Sequence, residues 1–467
     1  MRSDNPPHKH SSKPPSKAKV ASSSVARALA VDALLAVTKQ DLTIDQALHS
    51  DKRWQQMQAR DRAFCHHLVF NCFRHKGQLQ ILLSDFLDRP LPQRHAAVMA
   101  ALLLASCEHF FMRSAKHALV NEYVQLIKSL PKQSALKGLV NAVLRRVIQT
   151  DHSQMPTALH NIPLFMRQRW LACYGENWLT ALAENLLEQP NLYLALKQNV
   201  TAPQGAVQIY ETIYAYKNSQ ADDEDKQARN IQDINGYEQG DWWVQDCAAQ
   251  LPLVLSAAAK SGLKGKKVLD LCAAPGGKTM QLAALGAEVI AVDRDPERIK
   301  RLEQNLARTR LPAQVITADA LHFDPFAHEQ KQQNSAQTGF DLILIDAPCS
   351  ATGTALRHPE LLDKRKEQNL LRNCATQIKL LEKASGWLKP DGQLIYIVCS
   401  LEPEEGEAQI SQAFLDKNKL ELIPYQAPEH LKAFIDQRGC IRTAPHTNKA
   451  LRLDGFFAAQ MKKKLLD

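Results

Sequence analysis

The chain has 467 residues, enough for about three domains, and its 45% hydrophobic and 23% charged content is ordinary for a folded globular protein. No apolar run approaches the roughly 18–20 residues of a membrane span, and no apolar core follows Met1, so neither a membrane anchor nor a secretory signal is expected and the chain is placed in the cytoplasm. A net charge of +9 favours a polyanionic partner mildly, and ten scattered cysteines without a C-x-x-C pair exclude zinc ribbons and thioredoxin-like redox motifs.

Residues 1–20 are Ser, Pro, Lys and His with almost nothing apolar, the composition of a disordered basic arm. Residues 21–150 read as an all-α bundle of about six helices. Ala26, Leu29, Ala30, Ala33, Leu34 and Val37 share one helix face, as do Leu79, Leu82, Leu83 and Phe86, and Leu136, Leu139, Val140, Val143, Leu144 and Val147. Prolines 90, 92 and 131 fall between these segments. Lys137, Asn141, Arg145 and Arg146 lie off the last apolar stripe, as a phosphate-binding face or a merely solvated one.

Residues 151–238 read as a small connecting domain. Phe165 to Leu187 has helical spacing, Leu192 to Leu196 the apolar run of a short strand, and Ala221 to Gln227 the polar, acidic character of an exposed loop. From about residue 239 the chain alternates strands and helices to its end at 467. The expected strands are Val268–Leu271, Glu288–Val292, Gln314–Ile316, Phe340–Ile345 and Leu394–Val398. The expected helices start near Thr279 and span Pro296–Thr309 and Glu367–Leu388, with a turn at Lys389-Pro-Asp-Gly392. That alternation predicts a doubly wound, mostly parallel sheet.

Chemistry is expected at the carboxyl ends of these strands. The fourth ends in Asp346-Ala-Pro-Cys349-Ser, which places an acid and a thiol there; on this stretch alone Cys349 reads equally well as a small core residue after a turn. The first strand runs into Cys272-Ala273-Ala274-Pro275-Gly276-Gly277-Lys278, a loop that lets a ligand approach the backbone at a helix amino end. A Walker A loop would need glycine where Cys272 stands, and the dinucleotide fingerprint G-x-G-x-x-G is absent. Asp270, Asp293, Asp319 and Asp346 each lie at or near the end of a successive strand. Such a carboxylate rim suits a cationic adenosyl cofactor, with Asp293 on ribose hydroxyls and Asp319 towards the adenine amine, better than NAD or ATP. S-adenosylmethionine, a sulfonium, fits that description. The fifth strand ends in Cys399-Ser400, so two thiols and an acid converge beside a methyl donor. Carbon 5 of cytosine needs such a set: a thiolate adds to carbon 6 and makes carbon 5 nucleophilic.

Together, the runs P-C-S-A-T-G, A-A-P-G-G-K and V-C-S resemble the RNA (cytosine-5)-methyltransferases of the Sun/Fmu family. The segments His117-Ala-Leu-Val-Asn-Glu122, Val140-Asn-Ala-Val-Leu-Arg145 and Asp454-Gly-Phe-Phe457 resemble its bacterial branch that acts on 16S ribosomal RNA and carries an N-terminal NusB-like RNA-binding bundle. The resemblance implies a multidomain chain: NusB-like helices, a small connecting domain, then an α/β Rossmann-like methyltransferase domain. It implies Cys399 as nucleophile, Cys349 in product release and Asp346 against the target base, with Cys272 to Lys278, Asp293, Asp319 and Asp346 binding S-adenosylmethionine. The substrate implied is 16S ribosomal RNA, at cytosine 967, or a small-subunit assembly intermediate. No metal and no protein partner is expected. A transfer-RNA enzyme, a DNA cytosine methyltransferase and a non-catalytic RNA-binding assembly factor are the alternatives; the second thiol and the helical bundle argue against the DNA enzyme, and the intact motifs against the last.

The chain departs from the family's pattern in places. Val398 stands where Thr is usual, removing a hydroxyl from the site. The segment after Gly353 lacks a tryptophan that relatives carry. Residues 328–338 form a polar insertion, expected as a surface loop. Glu402, Glu404 and Glu405 follow Cys399; facing it, they would disfavour its thiolate, which then needs a positive partner, with Lys278 a candidate.

Overall fold

The computed structural model describes residues 22–40, 42–112, 115–216, 231–327 and 339–465. The basic arm, the acidic stretch 221–227 and the polar insertion 328–338 lie outside the described residues. The described chain forms two compact units. The first takes the residues up to Cys72 together with Leu82–Met155, and the second takes Phe73–Ile81 together with everything from Pro156 on.

The first unit is all helical. Its helices include Ser22–Lys39, Ala96–Phe111, Lys116–Ser129 and Lys137–Val147. The apolar faces expected from spacing point inward: Ala26, Leu29, Ala30, Val37, Val140, Val143, Leu144 and Val147 are buried. One ion pair is sealed in this core. Arg27 donates to both oxygens of fully buried Glu108, at 3.0 and 2.5 Å, and the Tyr123 hydroxyl donates to the same carboxylate at 3.1 Å. The pair satisfies charges that would otherwise be costly to bury.

In the second unit the run expected as one helix from Phe165 is two, Leu164–Tyr174 and Glu176–Asn185. Gly175, at φ +82°, breaks it, because the left-handed backbone cannot continue an α-helix. A small antiparallel sheet follows, built from β1 (Leu192–Leu196), β2 (Ala206–Tyr210), β3 (Ile213–Tyr216) and β4 (Trp242–Val244) in the order β2-β3-β1-β4.

The large sheet holds β5 (Lys267–Leu271), β6 (Glu288–Asp293), β7 (Gln314–Thr317), β8 (Phe340–Asp346), β9 (Leu388–Val398), β10 (Leu420–Ile423), β11 (Ile441–Arg442) and β12 (Phe457–Lys463). Its order is β10-β12-β9-β8-β5-β6-β7, with β11 beside β12. Strands β5 to β9 pair in parallel, and β12 runs antiparallel to β9. Leu342 to Ile345 have no exposed surface, as an apolar strand covered on both faces should. The chain winds from β5 through β6 to β7 on one side, then returns through β8 and β9 on the other. The switch point between β5 and β8 is where such sheets open a crevice at their carboxyl ends. The turn expected at 389–392 lies within β9: between the pairs Phe340↔Leu388 and Leu342↔Gln393 the register slips, and Asp391 takes φ +62° in the resulting bulge. Among the described residues, no helix is long and apolar enough to cross a membrane.

Candidate active site

Strand pairing explains how two distant thiols meet. β8 and β9 are neighbours, and their register continues past the strand ends: Ala347 donates its N–H to Ile397 and Gly353 donates to the carbonyl of Cys399. The loops leaving the two strands therefore run side by side. Cys349 and Cys399 face each other with Sγ···Sγ 3.4 Å, both half-buried and both lining one cleft of about 360 Å³. The hydrogen bond to Cys399, and then burial, push the Cys349 thiol well above its usual range.

The same cleft is lined by Cys272, Asp293, Asp319 and Asp346, with Arg294 and Arg298 among them. Asp293 ends β6 and is buried; its carboxylate accepts from the N–H groups of Ala274 (3.1 Å) and Asp295 (3.0 Å), and Arg298 lies 3.5 Å away. Asp319 is exposed. It accepts from the Leu321 N–H at 2.9 Å, and that bond holds its carboxyl below the ordinary range. Asp270 does not line the cleft. It is fully buried within β5, accepts the Thr279 hydroxyl at 2.6 Å, and is pushed up to about 7 chiefly by desolvation.

The glycine-rich loop turns sharply. Cys272 has φ +61° and Gly276 φ +103°, and Gly277 begins the helix Gly277–Ala284. A Cβ on Gly276 would press on Leu302 of the helix Pro296–Thr309, so both conformation and space require glycine there. Burial pushes the Cys272 thiol up to about 12, leaving it an inert wall. Lys278 donates to Asp346 at 2.8 Å, and its ammonium lies 5.6 Å from the centre of the Phe456 ring. Lys278, Pro275, Gly277 and Ala273 line a second cleft of about 570 Å³, together with Tyr237, Gln245 and Arg308. The candidate cofactor residues are thus divided. Cys272, Asp293 and Asp319 border the thiol cleft, Ala273, Pro275, Gly277 and Lys278 border the other, and Asp346 borders both. Ala274 and Gly276 line neither cleft and shape the loop from behind.

The thiol cleft suits a cationic adenosyl group. Its acids outnumber its arginines, and Arg298 is already engaged by Asp293 and by the Ala274 carbonyl. Among the described residues no group of His, Cys, Asp or Glu has a metal-holding arrangement.

The three glutamates after Cys399 are tied elsewhere. Glu402 accepts from Trp170 (3.0 Å) and Arg169 (3.2 Å), Glu404 from Arg169 (2.6 Å), and Glu405 from Ser350. Lys278, the candidate cation for Cys399, is paired with Asp346. Val398 does not line the cleft; it is fully buried in the apolar cluster with Ile345, Tyr396 and Phe457. The segment after Gly353 is well packed: Ala355, Leu356 and Leu362 join Trp170 and Leu401 in one cluster. Arg357 donates to Asp246 and, at 3.2 Å, to Asp454.

A hydroxyl network behind the thiols went unread in the sequence. Ser350 Oγ lies 3.0 Å from Ser400 Oγ, and Thr352 Oγ1 lies 3.3 Å from Ser350 and accepts the Leu401 N–H. The signal was present in the repeated Cys-Ser pair, which follows both strands.

Residues 261–462 match the family described as 16S rRNA methyltransferase RsmB/F, and residues 24–149 match the NusB family. Ribosomal RNA small subunit methyltransferase B of Vibrio cholerae is 32% identical over 403 residues, covering 84% of this chain and 89% of that protein. Its Pasteurella multocida counterpart is 30% identical over 453 residues, covering 94% and 96%. Among solved structures, PH0851 superposes with a TM-score of 0.70 at 20% identity, covering 95% of this chain and 99% of that one. NSun6 from Pyrococcus horikoshii with SFG gives 0.52 at 17% identity, covering 65% and 99%. These two show likeness of fold.

Proposed function

Because the chain belongs to the 16S rRNA methyltransferase RsmB/F family, we propose that it transfers a methyl group from S-adenosylmethionine to carbon 5 of a cytosine in 16S ribosomal RNA, in the free RNA or an assembly particle. By resemblance the target is cytosine 967. The observation that carries the reading is the pair of thiols 3.4 Å apart at the ends of adjacent parallel strands.

The residues divide the work as follows. Cys399, as thiolate, adds to carbon 6 of the base, and the electron pair released to carbon 5 takes the methyl group. S-adenosylmethionine, when bound, supplies that methyl as a sulfonium. Asp346, held by Lys278 and bordering both clefts, meets the ring at N3 and stabilises the adduct as it forms. Water in the cleft takes the proton from carbon 5, the carbon–sulfur bond breaks, and Cys399 leaves as thiolate; Cys349 serves this release by directing its S–H at the departing sulfur. Asp293 and Asp319 hold the ribose and adenine of the donor, and the loop from Cys272 to Lys278 shapes its methionine end. The target base reaches the site out of its stack. The NusB-like helices supply contacts to the RNA, and the chain works in the cytoplasm.

Bisulfite sequencing of ribosomal RNA from cells with and without the gene tests the substrate. One 5-methylcytosine should vanish on deletion, and persistence of all of them overturns the assignment. The same cells separate the thiols. Cys399→Ala should abolish methylation and give no covalent RNA complex, whereas Cys349→Ala should accumulate a protein–RNA adduct. An adduct from Cys399→Ala instead would exchange the two roles.

A further inference from the structure

The two thiols sit in one cleft, touch each other and follow the same strand type, yet the reaction needs them in different protonation states. Glu405 breaks their symmetry. It has no exposed surface, and among the described residues it pairs with no Lys, Arg or His. Its partners are all donors. The Ser350 N–H reaches both carboxylate oxygens, at 2.8 and 3.0 Å, and the Ser350 hydroxyl donates at 2.6 Å. Asn373 Nδ2 donates at 3.0 Å and Gln377 Nε2 at 3.4 Å, both from the helix Glu367–Gly386. Acceptance on both oxygens is the behaviour of a carboxylate. The Tyr396 hydroxyl fixes the Glu405 backbone by donating to its carbonyl at 2.6 Å. Ser350 directly follows Cys349 in sequence, so this buried carboxylate is anchored one residue from one thiol of the pair.

We propose that Glu405 is a positioning residue that makes the thiols unequal: its buried charge, fastened to Ser350, keeps Cys349 a neutral S–H donor and leaves the thiolate to Cys399. A like charge nearby disfavours a second one, and low-dielectric surroundings sharpen the effect. The upward shift of the Cys349 thiol, to which Glu405 contributes after the bond to Cys399, burial and the charge of Cys399, agrees in direction. Among the described residues, the other charged or titratable groups facing Cys349 are Asp346 on its own loop, Cys399, the buried Tyr396 of β9, and the cleft's Cys272, Asp293 and Asp319, with Arg294 and Arg298. From the helix packed behind come Cys374 and the neutral amides already named. Among these only Gln377 bonds to a neighbour of Cys349, and it does so as a neutral donor to the Pro348 carbonyl at 2.9 Å; none of the charged groups bonds to Ser350. The inference deepens the two-thiol reading and rests on it for its catalytic meaning, although the ionisation it predicts can be read without RNA.

The test is peptide-resolved alkylation of the full chain by iodoacetamide across pH 6–11, without RNA or methyl donor. Cys399 should titrate at lower pH than Cys349 in the unsubstituted chain; equal or reversed midpoints overturn the proposal, and this arm needs no variant. In Glu405→Gln, which keeps the shape and loses the charge, the Cys349 midpoint should fall by on the order of one pH unit, with a smaller movement at Cys399. Glu405→Asp should restore most of the original midpoint. An unmoved Cys349 in folded Glu405→Gln, or equal shifts in the Gln and Asp variants, overturns a role for the charge. If the adduct experiment fails while this titration succeeds, the two-thiol chemistry falls and the assignment of Glu405 stands; the opposite pair of outcomes removes Glu405 alone.

Discussion

Single side chains at the strand ends differ more in environment than in type. Asp346 is partly exposed and paired with a lysine, Asp319 is exposed and held by a backbone N–H, and Asp270 is sealed in the core with one oxygen, Oδ1, that has no hydrogen-bond partner among the described residues. The last case has a consequence for stability. Burial raises Asp270 to about 7, against an unfolded value near 3.9. The folded state therefore binds this proton more tightly than the unfolded state does. The stability so contributed is complete below the unfolded value and is lost as pH rises towards about 7. Asp270→Asn keeps an acceptor for Thr279 and has no proton to lose. Urea denaturation at pH 5 and pH 8 should show the variant gaining on the parent by on the order of 2–3 kcal/mol between the two. An unchanged difference would mean that water or a relaxed backbone solvates the buried carboxylate.

At the scale of elements, the site depends on two loops that cross at their glycines. Gly455 of the D-G-F-F run donates its N–H to Gly353 of the P-C-S-A-T-G run at 2.7 Å, while Gly353 donates to the Cys399 carbonyl at 3.1 Å. A Cβ on Gly353 would overlap the Gly455 carbonyl, a backbone atom that no rotamer change can move aside. Gly353→Ala should therefore cost more than about 3 kcal/mol in thermal or denaturant unfolding and should reduce methyl transfer as well, since the loop is bonded to Cys399. Full stability with lost activity would instead make Gly353 a substrate contact. The crossing also shows what the sequence could and could not reveal. The strands β5, β6, β8 and β9 were readable because each is an apolar run closed by Asp or Cys, and the helix Pro296–Thr309 because its proline and spacing mark its start and face. β12 was not: Phe457–Lys463 ends in Gln-Met-Lys-Lys, and buried Gln460 is tolerated only because its side chain accepts from the distant Ala257 N–H at 2.9 Å. The two-residue β11 is defined by its pairing with β12 and by a single bridge from Ile441 to Ile435, neither of which a two-residue pattern announces. In the site, the acids and thiols were visible as strand ends. The service of Glu405 to Ser350 was not, because it is set by the β8–β9 pairing rather than by any local pattern.

For the molecule as a whole, sequence order and folding unit part company in one place. Phe73–Ile81 lies between stretches of the helical unit in sequence and belongs to the unit that carries the thiols. Its contacts there are specific. Arg74 donates to the Leu356 carbonyl at 3.0 Å, and Lys76 pairs with Asp363 at 2.5 Å. The Gln78 backbone N–H donates to Asn161 Oδ1 at 3.0 Å, and its side chain exchanges bonds with the Pro156 carbonyl at 2.6 Å and with Asn161 Nδ2 at 2.7 Å. A Cβ on Gly77 would overlap the His160 carbonyl, so the two backbones meet as closely as glycine permits. A chain cut to begin at residue 151, the boundary that composition alone recommends, would discard all of this. At about 1 kcal/mol for each hydrogen bond, with the buried partners left unsatisfied, the loss is on the order of 3–5 kcal/mol. That should lower the melting temperature of the thiol-bearing unit by roughly 5–8 °C relative to the full chain. The damage should be local first. Hydrogen exchange should quicken at 156–163 and 356–364 before it quickens in β5, β8 or β9, because buried strands open only with the global transition. Adding a peptide spanning 70–84 should restore part of the protection. Equal protection of those two segments in the cut and full chains would show that the residues around Asn161 and Asp363 hold their structure unaided, and that 73–81 rests on the unit without supporting it.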